Sequence, residues 1–414
     1  LYLSGSTRSA GNVDKGTSLS DTLEVEKKRG ISVRASTMSL LWRDVQINLI
    51  DTPGHVDFSA EVERSLRVLD GAVLVLSAVE GIQAQTEPIW DALEALGIPV
   101  LLLVNKVDRR GADTAGVCAE LQGTFSDKVV RLERTEREGE DDVSVSELSA
   151  EEYRELVEQV AMVDDGLLER YLEGEVLERR EVEAALARST RTRTLFPLLC
   201  ASAKNQIGIE ALLDAVVDYL PDAATDYEQP VSGVVFRIDH HERFGRIAGV
   251  RLYAGSLKTR DVIFNHTADR EEKIAQIKRS TINKYEDVGS LAAGDIGFLC
   301  GMSEAQIGDI LGDPGPVPGE YALNEPLLVV QVRPSDAGDH AALAAALQQL
   351  ASEDPHLDFH WYSEERELQV RIMGAIQTEI LTEILKLRFG IAAEFSEPNV
   401  IYKETPALSG YGAE

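Results

Sequence analysis

The chain has 414 residues, of which 44% are hydrophobic, and it carries a formal net charge of −30 at pH 7. This length predicts two to four domains of roughly 100–200 residues each. The charge argues against a protein that coats nucleic acid along a basic stripe. No apolar run approaches the about 20 residues that a membrane-spanning helix requires, so we predict no membrane association.

The cysteines, Cys118, Cys200 and Cys300, lie far apart and form no Cys-x-x-Cys pair. This spacing argues against a zinc site and is typical of a protein in a reducing compartment. The given sequence does not open with a signal-peptide pattern, and a truncated start would hide one. We therefore expect a cytoplasmic protein, and we expect a monomer.

The apolar run 45–50 ends abruptly at the motif Asp51, Thr52, Pro53, Gly54 and His55. A carboxylate at the end of a strand can reach a Mg²⁺ ion through a water, and a glycine N–H can approach a γ-phosphate where a Cβ would clash. His55 is placed to orient a water against that phosphate. The alternative interpretation is a strand that leads into an ordinary Pro-Gly turn.

A second apolar run, 99–104, ends in Asn105, Lys106, Val107 and Asp108. The Asp108 carboxylate can accept two parallel hydrogen bonds from N1–H and N2–H of guanine, and adenine lacks that pair of donors. Asn105 can complete the purine edge and hold neighbouring loops together. The stem of Lys106 can lie over the ring.

A third apolar run, 195–200, ends in Ala201, Ser202, Ala203 and Lys204. A backbone N–H of a small residue there can reach the guanine O6. Ligands of open α/β sheets bind at the carboxyl ends of strands. Because all three motifs follow strand-like runs, the sequence predicts a guanine-nucleotide site.

The remaining elements agree with an α/β sheet. We expect an edge strand over 33–42, a buried strand over 72–77, and helices over 58–69, 86–96 and 207–220. Residues 109–194 are rich in Glu and Arg, and helical spacing at 147–160 and 169–187 predicts an inserted helical region.

Two further patterns follow the polar segment 222–230. Short alternating runs over 231–314 predict a β-barrel. Its cluster His240, His241, Arg243 and Arg246 has two interpretations that stay open, an RNA-backbone contact and a solvated hairpin tip. The order strand, helix, strand, strand, helix, strand over 324–405 predicts a ferredoxin-like domain, with Trp361 and Tyr362 facing core and solvent.

The motifs carry a resemblance to translational GTPases of the elongation factor G superfamily, and within it to tetracycline-resistance ribosomal protection proteins. The resemblance extends over the whole chain. The matching segments are VDKG at 13–16, Asp21, EKKRGIS at 26–32, DTPGHVDF at 51–58, GIQAQT at 81–86, GIPVLLLVNKVD at 97–108, the run 195–220, SGVVFRID at 232–239, RLYAGSL at 251–257 and EPNVIYKETP at 397–406.

The sequence departs from this family in two places. The family begins with a strand and a Gly-rich phosphate loop and continues into further domains past the position of residue 414, so we expect an internal piece of a longer protein. Ser32 stands where the family carries a threonine, and it keeps a hydroxyl for Mg²⁺.

The resemblance implies a multidomain α/β protein: a P-loop-type GTPase domain at 1–222 with an insertion at 109–194, a β-barrel at 228–318, and a ferredoxin-like α+β domain at 324–405. It implies binding of GTP and GDP, with Mg²⁺ held by Ser32 and Asp51. His55 would orient the attacking water. The implied partner is the ribosome, both its RNA and its proteins.

The implied function is ribosome-dependent GTP hydrolysis that releases tetracycline from the ribosome. The alternatives are a translocase that resembles elongation factor G and, if the phosphate loop is truly absent, a ribosome-binding module that needs no nucleotide. The acidic composition fits a ribosome partner in either of two ways. Basic contacts lie in parts of the protein outside this sequence, or they form local patches within it.

Overall fold

The computed structural model describes residues 1–7, 25–26, 30–223, 226–281, 284–323, 325–364 and 366–401. VDKG at 13–16, Asp21, residues 27–29 of the EKKRGIS motif and the segment 402–414 lie outside the described residues. Within the described part, no helix combines the length and apolar character needed to cross a bilayer.

The first region holds a four-stranded parallel sheet in the order β3, β4, β8, β5. The central strands β4 and β8 are buried because helices cover both faces. The strands of this region are β1 (Ser36–Trp42), β2 (Val45–Asp51), β3 (Ala72–Ser77), β4 (Val100–Asn105), β5 (Val129–Arg131), β6 (Glu133–Glu136), β7 (Ser144–Glu147) and β8 (Phe196–Cys200). Its helices are α1 (Ser59–Leu66), α2 (Thr86–Ala95), α3 (Thr114–Thr124), α4 (Ala150–Ala161), α5 (Asp165–Leu172), α6 (Arg179–Arg191) and α7 (Ile209–Tyr219).

The strand that leads into the DTPGH motif lies apart from this sheet. β1 and β2 form an antiparallel pair of their own. Among the described strands, none pairs with the outer edge of β2 or of β3. Leu49 on β2 is 40% exposed and Val75 on β3 is 56% exposed.

The insertion predicted at 109–194 is only partly helical, because β5 joins the parallel sheet and β6 and β7 form an antiparallel pair. The single helix expected over 169–187 is also wrong. Two helices, α5 and α6, replace it. Gly174 adopts a φ of 83° between them, a left-handed conformation that ends the first helix. A second start signal at Glu178, where Glu178 and Glu181 form a reciprocal capping box, begins the next helix.

The β-barrel region follows, with an eight-stranded sheet in the order β13, β12, β18, β9, β10, β17, β14, β15 and a short β11–β16 pair. Alternate side chains of its strands fill one apolar core. The strands are β9 (Ser232–His241), β10 (Gly245–Ala254), β11 (Ser256–Lys258), β12 (Val262–Asn265), β13 (Arg270–Lys273), β14 (Gln276–Thr281), β15 (Lys284–Val288), β16 (Ser290–Ala292), β17 (Ile296–Cys300) and β18 (Ile310–Gly312).

The last region has the ferredoxin-like order of two helices on an antiparallel sheet, β20, β21, β19, β22, with β23 beside β19. Its elements are β19 (Leu328–Pro334), α8 (His340–Glu353), β20 (His360–Tyr362), β21 (Glu367–Ile372), α9 (Ala375–Phe389), β22 (Ala393–Phe395) and β23 (Asn399–Val400). The expectation that Trp361 and Tyr362 face core and solvent is wrong. Both are exposed, at 56% and 46%, because β20 is a short edge strand.

A buried ion cluster joins all three regions at Glu353, whose side chain is 3% exposed. Arg388 donates to it at 2.7 Å, Arg34 from the first region also pairs with it, and His240 Nδ1 of the barrel lies 2.7 Å away. Burial opposes ionisation, but these hydrogen bonds and positive charges hold the pKa of Glu353 well below its usual range. His240 is therefore an interdomain contact, which neither interpretation of its loop anticipated.

Candidate nucleotide-binding site

The loops after β4 and β8 are fastened together at one edge of the parallel sheet. The parallel registers place Ser77 beside Asn105 and Val104 beside Cys200, so the three strands end side by side. Asn105 Oδ1 accepts the N–H groups of Lys106 at 2.8 Å and of Ala203 at 3.0 Å. The side chain that was predicted to hold the loops together therefore does so.

Backbone geometry fixes the turn that carries Asp108. Lys106 adopts a φ of 67°, which turns the chain sharply after the strand. Val107 is fully buried, and its N–H donates to Ala201 O at 3.2 Å. The Lys106 ammonium reaches Glu80 at 3.5 Å, in the loop after β3.

The Asp108 carboxylate is half-buried at this rim, and no partner for it occurs in the described part of the chain. Its neighbour Asp113 is engaged, since it caps α3 by accepting the N–H of Gly116 at 2.8 Å. A carboxylate whose two oxygens remain open is suited to a ligand that offers two parallel N–H donors.

The 201–208 turn leaves one backbone donor open beside Ala203. Ser202 is buried, and its backbone forms a two-way bridge with Ile207. The N–H of Ala203, one of the small residues expected to reach the guanine O6, donates to Asn105. The next N–H along, that of Lys204, has no acceptor among the described residues. A purine oxygen at this turn can therefore be met by Lys204 N–H directly or by Ala203 N–H shared with Asn105.

No atom of the described part of the protein requires a glycine at position 54 of the DTPGH loop. Pro53 is buried and Gly54 is exposed. A Cβ built on Gly54 would meet no atom within 4 Å, and its φ lies outside the left-handed region. The protein itself tolerates a side chain here, so the requirement for glycine would come from a bound group, as the sequence argument supposed.

The His55 ring is held from one side. Its Nδ1 accepts the Asp57 N–H at 3.1 Å, and the side chain is 34% exposed. A neutral ring that accepts at Nδ1 carries its proton on Nε2, so it presents a donor for a water oxygen. His55 also lines a cavity of about 380 Å³ with Gly54 and Gln85.

The loop 79–85 contacts both the DTPGH motif and the loop after β4. Gln85 Nε2 donates to Gly54 O at 3.4 Å, and Glu80 in the same loop pairs with Lys106. Because this loop follows β3, it lies at the same sheet edge as Asn105. The 79–85 loop thus contacts the motifs predicted at 51–55 and 105–108, and the 202–204 turn is joined to the second of these through Asn105.

Ser32 and Asp51 offer a hydroxyl and a carboxylate oxygen, the hard donors that Mg²⁺ prefers. Both residues also make interactions within the protein. Among the described residues, no group of three or more His, Cys, Asp or Glu side chains could hold a metal alone. Donors of this kind suit an ion that takes most of its ligands from waters and phosphates.

Sequence reasoning missed Glu133, which contacts the end of β8 just before the 201–208 turn. Its Oε2 accepts the N–H of Cys200 at 3.1 Å. This contact lies on the side of β8 that faces β5, one step past the last backbone hydrogen bond between the two segments. Burial raises the pKa of Glu133 to about 7 despite that hydrogen bond. Within a run rich in Glu and Arg, nothing in the sequence marks this glutamate.

Comparison with known proteins agrees with this architecture of a P-loop-type GTPase domain, a barrel and a ferredoxin-like domain. The family model of the elongation factor Tu GTP binding domain matches residues 1–222, that of elongation factor G domain 2 matches 230–313, and that of elongation factor G domain III matches 323–397. The chain belongs to the elongation factor G superfamily of translational GTPases.

Two individual proteins show the extent of the likeness. A tetracycline resistance protein, TetP of Clostridium perfringens, is 39% identical over 415 residues, which is 100% of this chain and 63% of that protein. A crystal structure of a Thermus thermophilus protein is 27% identical with a TM-score of 0.84, and the match covers 96% of this chain and 64% of the other. The chain thus spans less than two thirds of each relative.

Proposed function

We propose that this protein is a ribosome-dependent GTPase that binds GTP and hydrolyses it to GDP and phosphate. One observation carries the proposal. Asn105 clamps two strand-end loops together, and beside this clamp the Asp108 carboxylate remains open for a ligand. Membership of the elongation factor G superfamily supports it.

In this proposal each loop has a task. Asp108 accepts the N1–H and N2–H of guanine, Asn105 holds the loops, and a backbone N–H of the 202–204 turn meets the purine O6. Lys106 covers the ring with its stem. Thr52, Pro53 and Gly54 bring the Gly54 N–H to the γ-phosphate, and Val107 anchors the base-side turn.

Ser32 would ligate Mg²⁺ and Asp51 would act in its outer sphere. Such an ion, when bound, neutralises charge on the phosphates. His55 would hold the attacking water through Nε2. The proposed domain boundaries are those predicted from the sequence, 1–222, 228–318 and 324–405.

We further propose that the protein protects ribosomes against tetracycline. The support is the 39% identity to a tetracycline resistance protein over the whole chain. A tetracycline susceptibility assay with the intact gene tests this step. Absence of resistance, together with translocation activity in vitro, would instead favour a translocase.

The nucleotide step is tested separately with the intact gene product. We expect tight binding of GTP and GDP, weak binding of ATP, and phosphate release that rises when ribosomes are added. Ribosome binding without detectable nucleotide binding would favour the nucleotide-independent module. Equal affinity for ATP and GTP would overturn the assignment of the base-side loops.

A further inference from the structure

The turn after His55 is anchored in the ferredoxin-like region. His55 is the N-cap of the 3-10 turn Val56–Phe58 and accepts the Asp57 N–H at Nδ1. Val56 of that turn is 49% exposed and lines the cavity beside His55, whereas the other two side chains are buried. Asp57 is 7% exposed and Phe58 is 6% exposed, and Phe58 belongs to an apolar cluster built mainly from the ferredoxin-like region.

Asp57 caps a helix that belongs to another region. Helix α9 begins after Gly374, which has no side chain to cap it. The Asp57 Oδ2 accepts the N–H of Gln377 at 3.3 Å, the third residue of the helix. That N–H is one of the donors that an N-cap side chain normally satisfies, and a carboxylate also suits the positive end of the helix dipole.

The fit at this contact is close. A Cβ built on Gly374 would fall inside the van der Waals envelope of the Asp57 carboxylate. Gly374 has an extended φ of −167°, which any residue adopts. The glycine is therefore needed for space at this interface and not for its backbone conformation.

We propose that Asp57 is a positioning residue through which the ferredoxin-like region sets the orientation of His55. The helix end fixes the Asp57 carboxylate, and the N–H of the same residue fixes the imidazole. Docking of α9 onto Asp57 holds the ring with Nε2 open, and withdrawal of α9 releases it. This inference rests on the proposed GTPase function.

The test measures ribosome-stimulated hydrolysis by the intact gene product. We expect Asp57→Ala to lower the stimulated kcat at least tenfold while GTP and GDP affinities stay within twofold. In the His55→Ala background, Asp57→Ala should cause no further loss, because its effect passes through the ring. Additive losses would show that Asp57 does not act through His55 and would overturn the inference.

Gly374→Ala approaches the same contact from the other region and should also lower the stimulated kcat. Gly390→Ala is the matched control. Gly390 caps the opposite end of α9 with a φ of 71° and open space around it, so its substitution strains the helix without touching Asp57. Equal kcat losses in the two glycine variants would overturn the inference.

The outcomes separate the inference from the function on which it rests. A wild-type protein without stimulated hydrolysis overturns both. Wild-type hydrolysis that Asp57→Ala leaves unchanged overturns the inference alone. If Gly374→Ala does not fold, Asp57→Ala and the double variant still decide the question.

Discussion

At the scale of single residues, the chemistry of His55 depends on one hydrogen bond. Because Nδ1 accepts the Asp57 N–H, the neutral ring offers Nε2–H to a water. In the proposed GTPase reaction the ring would therefore act by orienting the nucleophile, and proton removal from water by neutral His55 would require this hydrogen bond to break. Its contribution should appear in turnover and not in nucleotide affinity.

We predict that His55→Ala leaves GTP affinity near normal and lowers ribosome-stimulated hydrolysis by about 10²–10⁴, the range typical of a lost positioning or acid–base group. Single-turnover hydrolysis with saturating ribosomes measures this. The control is Val56→Ala, since Val56 is 49% exposed next in the chain. Unchanged hydrolysis in His55→Ala would leave the residue as an ordinary polar side chain after a turn.

Asp108 is the residue that should select the base. In Asp108→Asn one acceptor becomes a donor, so one of the two guanine contacts is replaced by a clash of N–H groups. We expect GTP affinity to fall about 10- to 100-fold and xanthosine triphosphate to bind better than it does to wild type. Competition titrations measure both, with exposed Asp127→Asn as control. Unmoved affinities would contradict the base assignment.

Glu133 should give the protein a measurable pH dependence of stability. Its pKa rises from an ordinary 4.5 to about 7 on folding, so the folded state holds a proton that the unfolded state has lost. Stability should therefore fall as pH rises from about 4.5 to about 7 and stay level above it. Glu133→Gln should remove this slope, and its advantage over wild type should reach at most about 3 kcal/mol near pH 8.

Thermal unfolding at pH 5 and pH 8 measures the Glu133 effect. Glu140→Gln, a charge change at an exposed position of the same segment, is the control. Parallel profiles for wild type and Glu133→Gln would show that the burial of this carboxyl does not oppose its ionisation.

At the scale of elements, the 201–208 turn depends on Gly208. This residue adopts a φ of 76°, and an added Cβ would overlap the carbonyl oxygen of Cys200. We predict that Gly208→Ala costs about 1–3 kcal/mol of stability and weakens guanine-nucleotide binding. Gly174→Ala is the control, with a φ of 83° but open space. Similar nucleotide affinities in both variants would show that the 201–208 turn does not contribute to nucleotide binding.

The strands that were predicted correctly are those that a local pattern in the sequence specifies. Apolar runs bounded by turn residues located β2, β3, β4 and β8 within a residue or two of their observed bounds. The helix expected over 169–187 failed because a left-handed Gly174 divides it, and an apolar period alone does not detect such a break.

Residues whose side-chain chemistry suggests their contacts were predictable, and the Asn105 link between two loops is an example. The partner of Asp57 was not, because Gln377 lies 320 positions away in another region. Glu133 was not predicted for a similar reason, since its burial comes from packing against β8. Long-range placement, and not residue type, separates what was found from what was missed.

At the scale of the whole molecule, Glu353 holds three regions together. Breaking a buried ion pair by removing one partner costs about 3–5 kcal/mol, so we expect Glu353→Gln to lower the unfolding temperature clearly at pH 7. Because the pKa of Glu353 is lowered on folding, its contribution is present above about pH 4.5 and is lost as pH falls further. The gap between variant and wild type should narrow in acid.

Differential scanning calorimetry at pH 7 and pH 4 measures the Glu353 effect. Glu364→Gln, an exposed glutamate of the same region, is the control. A Glu353→Gln protein with the unfolding temperature of wild type at pH 7 would show that the cluster does not stabilise the arrangement of the three regions.

All three cysteines of this sequence are buried, and burial raises the pKa of each thiol, that of Cys200 to about 12. Native thiols are therefore poor targets for maleimide dyes at neutral pH. A pair of exposed positions, such as Val176→Cys on the insertion and Trp361→Cys on the ferredoxin-like region, would take fluorophores without removal of the native cysteines. Energy transfer between such dyes would follow the spacing of these two regions when ribosomes, the proposed partner, are added.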